Sequence, residues 1–138
     1  MKPAPQLRVA RPVTDLERTS AMYCRGLGLE VLSSFADHEG FDGVILGVPG
    51  AAWHFEFTQC RQHPVAPAPT PEDLIVLYLP DRAEWRRACE SMLGAGFAEV
   101  SSFNPWWERS GRTFADGDGY RSVLCNAAWR PQREGAST

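Results

Sequence analysis

"DLIVLYLPDRAEWRRACESMLGAGFAEV" (Asp73–Val100) decides the fold. It opens on a run of β-formers, breaks at Pro80, and resumes as an Asp-led helical stretch that ends on glycines and returns to a strand. The same order stands earlier in "LRVARPVTDLERTSAMYCRGLGLEV" (Leu7–Val31), where Thr14 or Asp15 caps a helix with apolar positions at Leu16, Met22 and Tyr23. Asp15 aligns with Asp81, "LGLEV" with "AGFAEV" and "WHFEF" with "YRSVL", all at an offset of about 66 to 68 residues, as a duplicated unit requires.

Outward from these two anchors, "LEVLSSFA", "FDGVILGV" and "AAWHFEFTQ" read as three strands completing the first unit, the last two separated by Pro49-Gly50. "GRTFADGDGYRSVLCNA" ends the second unit with two strands and a Gly-containing turn. Its two aspartates invite comparison with a calcium loop, but Tyr120 and Ala127 fill the fifth and twelfth positions, where an EF-hand needs an oxygen ligand and a glutamate. "DGDG" is therefore expected to be a tight turn whose glycines allow positive φ and whose aspartates bond the backbone. The Pro-rich "RQHPVAPAPTPED" cannot join a central sheet and bridges the halves. The expected organisation is one domain over 1–138: module one at about 6–60, a linker at about 61–72, module two at about 73–127, and a tail at 128–138, its "RPQREGAST" mobile or packed only at its start.

Composition narrows the function. With 138 residues, 43% hydrophobic and 22% charged, the chain suits one soluble domain. A net charge of -3 with interspersed signs gives no basic stripe for nucleic acid. Neither a signal peptide nor a membrane span is visible, so the reading is cytoplasmic with no membrane partner. Cys24, Cys60, Cys89 and Cys125 lack metal-site spacing and are expected to be inert thiols.

"RVARPVTDLERTSAMYCRGLGLEV" and "TFADGDGYRSVL" resemble the first strand and helix, and the closing turn and strand, of the vicinal oxygen chelate superfamily, which includes glyoxalases, extradiol dioxygenases, fosfomycin-modifying enzymes and bleomycin-binding proteins. The resemblance covers nearly the whole chain. It implies an α+β fold, two tandem βαβββ modules forming a curled mixed sheet around a cavity, and a homodimer, with Trp53, Trp85 or Trp129 available for a symmetric contact. Gly117 stands where that family's turn usually has proline. Metal-dependent relatives take four ligands from the first and last strands of each module; the matching positions here are Arg8, Glu56, Leu74 and Val123. Arginine, leucine and valine offer no metal donor, so the site reads as degenerate and no cofactor is expected. A register shift of two restores nothing: it offers Glu72 or Val76 near Leu74 and Arg121 or Cys125 near Val123.

The candidate ligand-binding residues are Arg8, Glu56, Trp106, Trp107 and Arg121, and the candidate catalytic residues are Glu56 and His54, which share a face by strand alternation. Arg8 and Glu56 either grip a substrate's polar groups or satisfy each other as a buried pair. Arg121 either adds a cation to the cavity or extends to solvent. The adjacent indoles of "FNPWWERSGR" (Phe103–Arg112) either wall a pocket or cover a dimer contact. His38 and His63 have no constellation around them and read as surface residues. Together these residues suggest a glyoxalase/bleomycin-resistance-like protein that binds a small, anionic, aromatic molecule. The alternatives are a lyase or isomerase using Glu56 without metal, and a divalent-metal enzyme of glyoxalase or dioxygenase type with an unusual ligand set.

Overall fold

The computed structural model describes residues 2–132; the end of the expected tail, 133–138, lies outside them. Module one runs β1 (Leu7–Pro12), α1 (Leu16–Leu27), β2 (Glu30–His38), β3 (Phe41–Gly47) and β4 (Trp53–Cys60). Module two runs β5 (Leu74–Tyr78), α2 (Arg82–Gly94), β6 (Ala98–Val100), a 3₁₀ turn (Pro105–Glu108), β7 (Gly111–Ala115) and β8 (Arg121–Cys125). Each module carries its own mixed four-stranded sheet, in the orders β1-β4-β3-β2 and β5-β8-β7-β6. The first strand of each runs parallel to the last, and the remaining pairs are antiparallel.

The helices start and stop where the sequence predicts. Asp15 accepts from the Arg18 amide and Asp81 from the Glu84 amide, each at 2.9 Å, satisfying an otherwise orphan donor of the first turn. Gly28, at φ 68°, closes α1 in the left-handed conformation that glycine adopts without penalty. The duplication extends to hydrogen bonds that no local pattern reveals. Gln59 donates to the Thr14 carbonyl at 2.7 Å and Asn126 to the Leu79 carbonyl at 3.0 Å, so each module ties its last strand to the bend before its helix with a side-chain amide.

One core serves both modules. The buried face of α1 (Thr19, Met22, Tyr23, Gly26) follows helical spacing and packs with Phe55 and Phe57 of β4, Met92 of α2, Phe97 and Phe114. A Cβ on Gly26 would lie 2.8 Å from the Met92 sulfur and 2.9 Å from the Phe97 ring, so the helices approach closely only because that side chain is absent.

The "DGDG" turn clasps the modules together. The Asp116 carboxylate accepts from the Asp118 and Tyr120 amides with one oxygen and, at 2.7 Å, from the Tyr23 hydroxyl of α1 with the other. Asp118 accepts from the Thr14 amide at 3.1 Å, and the Arg11 guanidinium lies 4.3 Å from the centre of the Tyr120 ring. Of the turn's glycines only Gly119 has positive φ (93°). At Gly117 a Cβ would meet the Arg18 guanidinium at 2.5 Å, a contact that the flexible arginine side chain would have to move to relieve.

Candidate functional site

Strand alternation sorts each sheet into a face turned to the helices and an open face. On β4, Phe55 and Phe57 are buried in the core, so His54 and Glu56 occupy the open side. On β8, Leu124 belongs to the core, so Arg121, Val123 and Cys125 lie on the opposite face, where Val123 and Cys125 are nevertheless buried. The register pairs Arg8 with His54 and Leu74 with Arg121. The direct register partner of Arg8 is thus His54 and not Glu56, and that of Leu74 is Arg121 and not Val123.

In module one Arg8, His54 and Glu56 form a connected polar group. The Arg8 Nε donates to His54 Nε2 at 2.9 Å, and its Nη1 approaches Glu56 Oε2 at 3.4 Å. The Arg8 side chain is 46% exposed and that of Glu56 19%, so the guanidinium retains a free edge toward solvent. Accepting from Arg8 requires the Nε2 lone pair of His54, which is then not available to a metal or a substrate proton. In module two the corresponding positions are apolar: Leu74, Val76 and Val123 offer no polar side-chain atom. Arg121 donates to the Ser101 carbonyl at 3.2 Å.

These residues do not fit the divalent ion that metal-dependent relatives hold. Of the four corresponding positions, one is cationic and two have no donor, and the carboxylate of the fourth faces a guanidinium. Among the described residues no group of three His, Cys, Asp or Glu side chains is placed to hold a metal.

Trp106 and Trp107 sit on the 3₁₀ turn, which Asn104 caps by accepting from the Trp106 amide at 3.0 Å. They border a cavity of about 600 Å³ at the far end of β5 and β8, together with Tyr78, Arg109, Cys125 and Trp129. Neither Arg8 nor Glu56 lines it. The anticipated residues thus fall into two groups, a polar one on module one and an aromatic one on module two. Tyr78 was legible as the next open-face residue of β5 after Val76. Arg109 and Trp129 lie outside any strand and carry no comparable signal. Burial pushes the Cys125 thiol above its ordinary range, keeping it protonated and a poor nucleophile.

The other groups singled out from sequence lie elsewhere. Trp85 donates its indole N–H to the Leu124 carbonyl at 2.8 Å, and Trp53 and Trp85 both pack on the shared core. His38 and His63 are exposed, and all four cysteines are free. A cavity of about 350 Å³ opens between the edge strands β1 and β5, lined by Leu7, Val9, Trp53, Leu74 and Val76 among others. A wide groove of about 810 Å³ lies between the start of α1 and β2–β3, where Arg61 forms a bidentate pair with Asp42. It lies away from the open-face positions.

Paired βαβββ modules with these open-face positions define a protein of the vicinal oxygen chelate superfamily, the class that contains glyoxalases and fosfomycin- and bleomycin-resistance proteins. Models of the YycE-like N-terminal and C-terminal domains match residues 7–58 and 72–126, and the chain belongs to the YycE-like family. It is 40% identical to YycE of Bacillus subtilis (strain 168) over 124 residues, covering 90% of this chain and 89% of that one. The crystal structure of Bacillus subtilis YycE, a protein of unknown function, superposes with a TM-score of 0.82 at 38% identity over 96% of this chain and 95% of that chain. Similarity extends to the trypanothione-dependent glyoxalase I of Leishmania major (TM-score 0.69, 20% identity, 91% of this chain and 88% of that chain). It extends also to TnmS3, an antibiotic binding protein from Streptomyces sp. CB03234 (TM-score 0.60, 20% identity, 90% and 95%). The last two share the fold alone. No helix among the described residues is long and apolar enough to cross a membrane.

Proposed function

We propose that this chain is a metal-independent binding protein for a small organic anion. The Arg8 guanidinium fixes the ligand's charged end, and Glu56 and His54 hold that guanidinium in place. The observation that carries the reading is the Arg8–His54–Glu56 group: a cation with a free edge stands where the superfamily places a metal donor, and a planar guanidinium suits a carboxylate or phosphate. The fold's occurrence in an antibiotic binding protein supports binding without turnover. We further infer a cytoplasmic protein and a homodimer, whose contact would cover exposed apolar residues of module one such as Val31, Leu32 and Phe41.

A second reading is favoured by one detail. Glu56 Oε1 has no hydrogen-bond partner among the described residues, so this oxygen is free to act as a general base in metal-free lyase or isomerase chemistry.

The test is divalent-ion binding by native mass spectrometry and elemental analysis, on the wild type and on Arg8→His. The wild type should carry no stoichiometric zinc, nickel or manganese after dialysis. Arg8→His frees the lone pair of His54 and adds a third donor beside His54 and Glu56, so its zinc affinity should rise at least about tenfold. One ion per wild-type chain that survives dialysis overturns the metal-free reading. Glu56→Gln separates the two metal-free readings: retained affinity for the ligand fits a binder, and loss of turnover of that same ligand fits an enzyme.

A further inference from the structure

The cavity at the end of β5 and β8 has a lining that no part of the Arg8 group shares. Four aromatic side chains meet there: Tyr78 from the end of β5, Trp106 and Trp107 from the 3₁₀ turn, and Trp129 from beyond β8. Trp106 is 48% exposed, Tyr78 42% and Trp129 63%, so much of their ring surface is free rather than spent in the core. A volume of about 600 Å³ falls within the range that takes a molecule of two or three fused rings.

The polar character of the lining has one sign. Among the described residues Arg109 is the only charged one in the lining, and its guanidinium lies 4.9 Å from the centre of the Trp106 ring. No carboxylate among the described residues borders the cavity. Arg109 makes no hydrogen bond or ion pair through its side chain among the described residues, and neither do the indole N–H groups of Trp106, Trp107 and Trp129. Arginine and indole N–H groups can only donate. An aromatic cage for a cationic ligand would place acids, not a guanidinium, around its rings.

We propose that this cavity is a binding site for a planar aromatic anion, its rings stacked on Trp106, Trp107 and Trp129 and its carboxylate or equivalent acceptor held by Arg109. The proposal is independent of the Arg8 reading: it concerns a second site, and its failure leaves that reading standing. It adds the ligand class and assigns the contact to module two alone, with Arg109 rather than Arg8 as its cation.

The five tryptophans supply the assay. In the full chain labelled with ¹⁵N at tryptophan, naphthalene-2-carboxylate should shift the indole signals of Trp106, Trp107 and Trp129 and leave those of Trp53 and Trp85, which pack on the core, unmoved. Single Trp→Phe variants assign the signals. Calorimetry should show naphthalene-2-carboxylate binding at least tenfold more tightly than naphthalen-2-ylmethylammonium or decalin-2-carboxylate. Trp106→Ala should weaken it about tenfold, in line with the loss of one stacking platform, and Arg109→Glu should invert the preference between carboxylate and ammonium. Both side chains are outside the core, so these variants should keep the wild-type Tm. Loss of this binding in Arg8→Ala would place the anion at Arg8 and overturn the assignment to module two. Equal binding of the two naphthalene ions, or none at millimolar concentration, overturns the site. So do Trp106 and Trp129 signals that move with protein concentration and not with ligand, since a second copy would then cover the cavity.

Discussion

Tyr23→Phe removes a single hydroxyl and tests how the two modules are joined. The ring is fully buried, Asp116 is 8% exposed, and the hydroxyl donates at 2.7 Å to a carboxylate oxygen with no other hydrogen-bond partner. Deleting the donor leaves that oxygen buried and unpaired, a loss of about 1–3 kcal/mol. The remaining ring still fills the space against Phe55, Phe57 and Phe97, so no cavity penalty is added. Burial, then the charge and hydrogen bond of Asp116, push the Tyr23 pKa far above the ordinary tyrosine value, with Arg11 opposing only in part. A folded pKa raised above the unfolded one stabilises fully below the unfolded value and is lost as pH rises beyond it. The wild type should therefore lose up to about 1.36 kcal/mol per pH unit above about pH 10 through this group, whereas the phenylalanine variant should not. Urea unfolding at pH 7.5 and at intervals from 9 to 11.5 measures both proteins. The gap between them should start near 2 kcal/mol and close over roughly 1.5 pH units above pH 10. A gap below about 0.5 kcal/mol at pH 7.5, or one that stays constant with pH, refutes the assignment of this bond as the clasp.

Two further outcomes follow from the packing and the caps. Gly26→Ala gains up to about 1 kcal/mol of helix propensity but drives a methyl group to within 3 Å of Met92 and Phe97, an overpacking cost of about 1–3 kcal/mol. The net effect should be a lower Tm by calorimetry; an unchanged or raised Tm would show that Met92 yields freely. Asp15→Ala and Asp81→Ala should each lower stability by about 1 kcal/mol in urea titrations, because each removes the equivalent helix cap in its module.

Much of the fold was legible because its signals are local and doubled. An Asp cap, a glycine stop and strands of alternating polarity each mean little alone. Repeated at one offset they specify two equivalent units, but the register that sets Arg8 beside His54 rather than Glu56 emerges only from the strand pairing. The clasp was not legible. Its central bond joins residues far apart in sequence, and "DGDG" shows only a turn until α1 supplies Tyr23. The aromatic cavity was half legible. Paired indoles on a loop announce a surface to be covered, but Trp129 and Arg109 reach it through tertiary placement that no periodicity encodes.

The duplication also explains why the two open faces could diverge in chemistry while the scaffold stayed the same. What the modules share, in hydrogen bonds, is the set of contacts each unit makes to itself: the aspartate cap, and the amide of Gln59 or Asn126 on the bend before each helix. None of these reaches the open face. An apolar residue at position 74 or 123 removes no capping bond and leaves Leu124, the neighbouring core residue of β8, undisturbed. A metal site tolerates such losses poorly, since its affinity depends on several donors at once. An arginine in one module and aromatic rings in the other need no common centre. Each contributes its own contact, and the proposed division into a polar half and an aromatic half follows from that independence.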